Sequence, residues 1–157
     1  MIEIDISIAQ RFLVALLIGA LVGVEREKSQ VAAGYRTIAG LRTYILLALL
    51  GSLSAWLAQF LGSPLLFVVA FAMVSLAAMA GHVTEVRQRP EALGLAREFA
   101  AITVFLLGGV TMYGHPEIAV ALGIVTSAVL AFKEPHGLVA RIGSDDLYAV
   151  LKLLIAT

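Results

Sequence analysis

Apolar segments recur along almost the whole chain, and the charged residues are concentrated in the gaps between them. An α-helix rises about 1.5 Å per residue, so about 20 apolar residues are needed to cross a hydrocarbon core of about 30 Å. Of the 157 residues, 61% are hydrophobic and 14% are charged, whereas soluble domains carry roughly a quarter charged residues. The sequence therefore predicts an all-α integral membrane protein.

Five transmembrane helices are predicted, over about residues 6–24, 44–61, 64–81, 97–113 and 117–132. Together they form a five-helix bundle within a transmembrane domain that covers residues 1–136. The last two apolar segments are shorter than a full span, so a re-entrant hairpin is the alternative for that pair. Two membrane-facing helices are the preferred interpretation.

The basic residues predict the orientation of the bundle, because short cytoplasmic loops are enriched in Lys and Arg. The loops after the first and third helices and the tail after the fifth are basic, whereas the two intervening turns contain no Lys or Arg. Only Arg11 lies toward the other side. The pattern predicts an N-terminus outside and a C-terminus in the cytoplasm.

The final segment, residues 137–157, differs from the rest. Its apolar residues recur at helical spacing: Leu147, Val150, Leu151, Leu154 and Ile155. This apolar run is too short to span a bilayer before the sequence ends. It predicts a cytoplasmic amphipathic helix lying on the inner leaflet, with the start of a sixth helix as the alternative.

Small residues at intervals of four indicate where membrane helices approach closely. Such residues occur in the first, fourth and fifth predicted helices: Gly19, Gly23, Gly108, Gly109, Ala119, Gly123 and Ser127. Packing within the bundle is the preferred interpretation of these residues. Contact between copies of the chain is the alternative.

Several charged residues lie at the predicted cytoplasmic ends of the first and fourth helices, where a charge is costly unless it is paired or functional. Glu25, Arg26 and Glu27 end the first helix, and Glu98 begins the fourth. Structural pairs of Glu25 with Arg42 and of Arg26 with Glu98 are the preferred expectation. The alternative is a site for a hydrated cation such as Mg²⁺, which prefers oxygen ligands.

Two similar runs, residues 33–37 and 39–43, precede the second helix, and each contains Gly, Arg and Thr. Arg36 and Arg42, together with the positive N-terminus of that helix, are candidates to bind an anion or a lipid headgroup. The preferred interpretation is simpler. Both arginines anchor the loop at the inner surface, and Thr43 caps the second helix.

The sequence gives little indication of catalysis. There is no cysteine, and His82, His115 and His136 fall in separate predicted loops. No acidic residue lies in the middle of a predicted span, and no serine–histidine–acid arrangement is present. We therefore expect no enzyme and no cofactor, and the three histidines cannot form one metal site, but the sequence leaves open whether the chain binds a metal ion. The formal net charge is zero, so no nucleic-acid partner is expected; the expected partners are the lipid bilayer and other membrane proteins.

The run from Gly19 to Glu27, followed by the run from Gly40 to Tyr44, resembles the signature of the MgtC/SapB family of membrane proteins. The resemblance implies a multi-pass protein of the bacterial inner membrane that is associated with growth under magnesium limitation. Some members of that family are regarded as regulators of other membrane proteins. The small-residue stripes and the scarcity of charge in mid-membrane favour a non-enzymatic protein that acts as a homo-oligomer or as a regulator of a membrane partner. An ion transporter or channel, or one half of one, is the alternative, because fused inverted halves are common in transporters.

Overall fold

The computed structural model of the chain describes residues 6–32, 40–88 and 95–131. These residues form five α-helices: α1 (Ile6–Ala32), α2 (Leu41–Phe60), α3 (Leu65–Gln88), α4 (Ala96–Met112) and α5 (Pro116–Ala131). The predicted all-α fold with five helices is thus confirmed for this part of the chain. Arg36 and the predicted amphipathic helix over 137–157 lie outside the described residues.

Two helices continue well past the predicted ends of their apolar runs. α1 ends at Ala32 instead of residue 24, and α3 ends at Gln88 instead of residue 81. In both cases the prediction stopped where charged residues begin. Charged residues do not terminate a helix, and Glu25 and Lys28 face each other one turn apart, 3.9 Å between Nζ and Oε2. The sequence offers the next helix-breaking signals only at Gly34 and at Pro90.

Both short turns of the bundle are built on a glycine with positive φ. Gly62 (φ 62°) ends α2, and Gly114 (φ 94°) ends α4. After α2, the N–H groups of Gly62 and Ser63 donate to the carbonyls of Gln59 and Ala58 at 3.1 and 2.9 Å. This pair of bonds is a Schellman motif, which needs a left-handed residue that glycine supplies without steric cost. Each turn reverses the chain at once, so neighbouring helices run antiparallel.

α4 is the central helix of the bundle, and it contacts all four of the others. α1 packs on α2, α4 and α5, whereas α3 packs only on α2 and α4. Three helices contain segments long and apolar enough to cross a membrane: Ile6–Lys28, Leu41–Phe60 and Leu65–Arg87. α4 and α5 are shorter, with 17 and 16 residues, or about 25 Å each.

Glycines bring the backbones of α2 and α4 into direct contact. A Cβ added to Gly51 would overlap the carbonyl oxygen of Phe105, and one added to Gly108 would overlap that of Ala48. Gly109, in contrast, faces α3, where an added Cβ would lie 2.6 Å from the Phe67 ring. Close approach of this kind is the main source of helix association in lipid, where apolar burial contributes little.

The small residues of α1 also lie inside the bundle. A Cβ added to Gly19 would lie 2.6 Å from the Tyr44 carbonyl oxygen, and one added to Gly23 would lie 2.9 Å from Leu41 Cα. Both glycines therefore let α1 approach the first half of α2.

α5 uses its small residues in the same way. Ala119, Gly123 and Ser127 are buried, and a Cβ added to Gly123 would lie 3.1 Å from Ile18 Cγ2 on α1. This face of α5 is occupied by the bundle itself. The opposite face presents large apolar side chains outward: Ile118, Val120, Leu122, Ile124, Val125 and Val129.

Candidate functional site at the charged end of the bundle

Four helix ends bring their charged residues together at one end of the bundle, which we call the charged end. It comprises the last turns of α1 from Glu25, the first turns of α2 up to Tyr44, the last turns of α3 from His82 and the first turn of α4 up to Glu98. Because neighbouring helices are antiparallel, residues that are far apart in sequence meet here. Six of the seven predicted binding residues lie at the charged end: Glu25, Arg26, Glu27, Arg42, Thr43 and Glu98.

Arg97 is the centre of an ion-pair cluster. Its Nη2 donates to Glu98 Oε1 at 2.7 Å, and its Nε donates to the same oxygen at 3.1 Å. Arg97 Nη2 also pairs with Glu85 Oε2 of α3. A guanidinium that engages two carboxylates in this way holds α3 against α4 through charge-assisted bonds.

Glu98 is 3% exposed, which is unusual for a carboxylate. Its Oε1 accepts both bonds from Arg97 and lies 3.5 Å from His82 Nδ1. Its Oε2 is buried and has no hydrogen-bond partner. Half of the carboxylate is therefore compensated, and the other half remains an open acceptor inside the protein.

Arg26 and Tyr44 form the second half of the charged end. Arg26 is 6% exposed and Tyr44 is 1% exposed, and the Arg26 guanidinium interacts with the Tyr44 hydroxyl. That hydroxyl donates to the carbonyl oxygen of Arg97 at 3.4 Å. Arg26 Nε is buried without a hydrogen-bond partner. Tyr44 thus links α1 and α2 to the cluster on α4.

Glu27 stabilises the start of α2. Its Oε2 accepts a bond from the backbone N–H of Leu41 at 3.4 Å, which satisfies one free donor at a positive helix terminus. Thr43 does not cap the helix, so that prediction is wrong. α2 begins earlier, with Gly40 at the N-cap and no side-chain cap, and the Thr43 N–H donates to the Gly40 carbonyl at 3.0 Å.

Both predicted structural pairs are wrong. Glu25 pairs with Lys28 on its own helix instead of with Arg42, and Arg42 is exposed. Glu98 pairs with the adjacent Arg97 instead of with Arg26. The reason is local: a neighbour one residue or one turn away meets its partner without any tertiary constraint.

The charged end does not fit a dedicated metal site. In the described ranges, no three His, Cys, Asp or Glu side chains are grouped so that they could hold a metal ion. Glu85 and Glu98 are both already paired with Arg97. His82 lies in α3, not in a loop as predicted, because that helix continues to Gln88.

The opposite end of the bundle has a simpler polar arrangement. Arg11 Nη1 of α1 and Gln59 Nε2 of α2 both donate to the carbonyl oxygen of Met112, at 3.2 and 3.0 Å. Met112 is the last residue of α4, so its carbonyl lacks a helical donor and carries partial negative charge. This end is held by side chains that complete a helix terminus.

Sequence reasoning missed three members of the cluster: Tyr44, His82 and Glu85. α2 buries one face, and the buried residues recur at helical spacing: Tyr44, Ala48, Gly51, Ala55 and Ala58. This spacing can be read from the sequence and would have indicated that Tyr44 is buried. His82 and Glu85 are three residues apart and therefore on one helix face. They were not predicted to lie on one helix, because the predicted third helix ended at residue 81.

In the described part of the chain, three helices long and apolar enough to cross a membrane and a partly buried ion-pair cluster at one end are typical of a helical membrane protein. The family model of the MgtC family matches residues 12–137, which is most of the chain, and the chain belongs to this family. The resemblance found in the two sequence runs is thereby confirmed. Membership suggests a membrane protein linked to magnesium homeostasis. No curated protein and no solved structure matches the chain.

Proposed function

We propose that this chain is a non-enzymatic, multi-pass protein of the bacterial inner membrane that takes part in magnesium homeostasis by contacting another membrane protein or further copies of itself. Its N-terminus lies outside and its charged end faces the cytoplasm, as the basic loops predict. The family match supports the link to magnesium. The mode of action is argued below from the interior and the surface of the bundle.

The closed interior of the bundle is the observation that carries this proposal. α2 and α4 touch backbone to backbone at Gly51 and Gly108. The nearby hydroxyls of Ser52, Ser54 and Thr111 donate to carbonyls of their own helices, at 2.9, 2.5 and 2.6 Å. A hydrated ion needs a polar lining that offers free oxygen ligands. These three hydroxyls are therefore not free to bind a passing ion between α2 and α4, which favours a contact role over transport through one chain.

The surface of α3 supplies the contact. No residue from Leu65 to Arg87 is fully buried, because α3 packs only on α2 and α4. Near the charged end, its outward side presents four small residues, which we call the α3 patch: Ala77, Ala80, Gly81 and Thr84. A Cβ added to Gly81 would meet no atom within 4 Å. Exposed small residues of this kind let a second helix approach closely.

Gly81→Leu tests this proposal without disturbing the bundle, since the added side chain has free space. In a strain that lacks the chromosomal copy, we expect it to lose complementation of growth at limiting magnesium and to lose in-membrane crosslinks. Ala72→Leu, also exposed on α3 but outside the patch, is the matched control and should retain both. If Gly81→Leu complements and crosslinks like the unmodified chain, the α3 patch is not the contact.

Transport is the second candidate, and the odd number of helices in the described part of the chain favours it, since an odd number allows two copies to sit inverted. Purified chain in liposomes that contain a magnesium-sensitive dye distinguishes the two functions. We expect no flux above that of empty liposomes. Flux that depends on protein concentration would replace the contact role with transport by an oligomer.

A further inference from the structure

Arg26 is a buried cation without a counterion in the described part of the chain. It is 6% exposed, and no carboxylate of the described residues lies within ion-pair distance of it. A guanidinium cannot lose its proton in a protein, so it cannot become neutral by titration. Its buried Nε also lacks a hydrogen-bond partner. Buried charges are normally paired, so the Arg26 guanidinium needs an anionic ligand.

The carboxylates of the cluster do not supply that counterion. Glu98 and Glu85 both pair with Arg97. Glu25 pairs with Lys28, and Glu27 accepts from the backbone of Leu41. Each of these acidic side chains therefore has another partner, and Arg26 is the buried cation that is left without one, whereas Arg42 and Arg87 are exposed to solvent.

Tyr44 provides a second donor at the same place. The Tyr44 hydroxyl interacts with the Arg26 guanidinium and also interacts electrostatically with the Glu98 carboxylate. The bond that it donates to the Arg97 carbonyl is 3.4 Å long, whereas O–H···O bonds are usually about 2.7 Å. The hydroxyl is therefore loosely held and can turn toward a stronger acceptor.

We propose that Arg26 and Tyr44 form a binding site for a phosphate group at the charged end of the bundle. The planar guanidinium matches phosphate oxygens through parallel N–H groups, and the tyrosine hydroxyl adds a third donor. The buried Oε2 of Glu98 has no partner, and a phosphate hydroxyl or a headgroup hydroxyl can donate to it. Glu27 and Lys28, directly after Arg26, are exposed, so the site lies at the edge of the bundle.

The phosphate can come from the cytosol or from the headgroup of an anionic lipid, and both sources present the same chemistry to Arg26. The site depends on residues of α1 and α2, whereas the proposed partner contact depends on α3. Failure of one proposal therefore leaves the other standing.

The first arm of the test uses inorganic phosphate and the full-length chain in detergent, with binding followed by phosphorus NMR titration. We expect Arg26→Gln to weaken phosphate binding about tenfold or more, and Tyr44→Phe, which keeps the ring, to weaken it about fivefold. Arg87→Gln is the matched control, because it removes an exposed arginine from the last turn of α3 at the same end. It should bind like the unmodified chain.

The second arm uses nanodiscs of phosphatidylglycerol or of phosphatidylcholine, followed by native mass spectrometry of the lipids that stay bound. Retention of phosphatidylglycerol that is lost in Arg26→Gln and kept in Arg87→Gln assigns the phosphate to a lipid. Phosphate binding in detergent without such retention assigns it to the cytosol. If neither arm depends on Arg26, or if Arg87→Gln loses as much as Arg26→Gln, the site is overturned.

Thermal melts keep the result interpretable if Arg26→Gln folds poorly. Without phosphate, we expect Arg26→Gln to melt no lower than the unmodified chain, because it removes an uncompensated buried charge. With phosphate, only chains that keep Arg26 should gain in Tm, as binding to the native state requires. Two results together would show that Arg26 has only a structural role. Arg26→Gln would melt at a lower Tm than the unmodified chain, and phosphate would raise the Tm of Tyr44→Phe as much as that of the unmodified chain.

Discussion

α3 and α4 are adjacent in sequence and in space, yet they have opposite relations to the rest of the bundle. α3 contains an apolar segment of full membrane-spanning length and buries none of its described residues fully. α4 has 17 residues, of which nine are buried, including Glu98 and two glycines. Both helices contain small residues, but those of α4 face the other helices, whereas those of the α3 patch face outward. The direction in which the small residues face therefore decides which helix organises the bundle.

Substitutions at the contact between α2 and α4 should have the largest effect on stability of those compared between α3 and α4. Gly108→Leu would push a side chain into the backbone of Ala48, and we expect it to lower the free energy of unfolding by about 4 kcal/mol or more. The measurement is the yield of monodisperse protein and its Tm. Gly81→Leu, the same change on α3, should leave both unchanged, and equal losses in the two variants would remove the distinction between the helices.

The ion-pair cluster gives the next largest effect. Glu98→Gln keeps the shape of the side chain but removes its charge, and we expect a loss of about 3 kcal/mol, as for the breaking of a buried pair. Glu25→Gln should cost less than about 0.5 kcal/mol, because the partner of Glu25, Lys28, is exposed to solvent and exposed pairs contribute little. Unfolding of both variants in mixed micelles, followed by circular dichroism, checks the difference. Similar costs for the two would show that Glu98 is already hydrated.

Two leucines, one on each helix, test how much apolar packing alone contributes to stability. Leu107 of α4 is 3% exposed and Leu76 of α3 is 70% exposed. We expect Leu107→Ala to cost about 2 kcal/mol, through lost packing and a residual cavity. Leu76→Ala should change stability by less than about 0.5 kcal/mol. If Leu76→Ala costs as much, α3 is covered in the assembled protein, and crosslinking at α3 would show by what.

The smallest effect is expected at the end of α4 opposite the cluster. Gln59→Leu removes one of the two donors to the Met112 carbonyl and should cost about 1 kcal/mol. Arg11 still donates to the same oxygen, which limits the loss. An effect as large as that of Glu98→Gln, measured in the same micelles, would show that both ends of α4 matter equally.

The sequence predicted the helices and both tight turns, because apolar length and the glycines at 62 and 114 are local signals. It could not predict which helix is central, since that depends on which faces meet. Gly51 shows the difficulty: as a lone glycine in an apolar helix it gave no sign that Phe105 lies against it. The Arg26 pairing failed for a different, local reason, because Arg97 reaches Glu98 from the next position in the chain.

The bond between Arg11 and Met112 joins residues 101 positions apart, and this separation has a consequence for biosynthesis. A chain that enters the membrane as it is made presents the first helix long before the fourth has left the ribosome. During that interval the Arg11 guanidinium has no Met112 carbonyl to bind and must extend to the lipid headgroups. The first helix therefore inserts in a provisional position and takes its final one only after the fourth helix arrives.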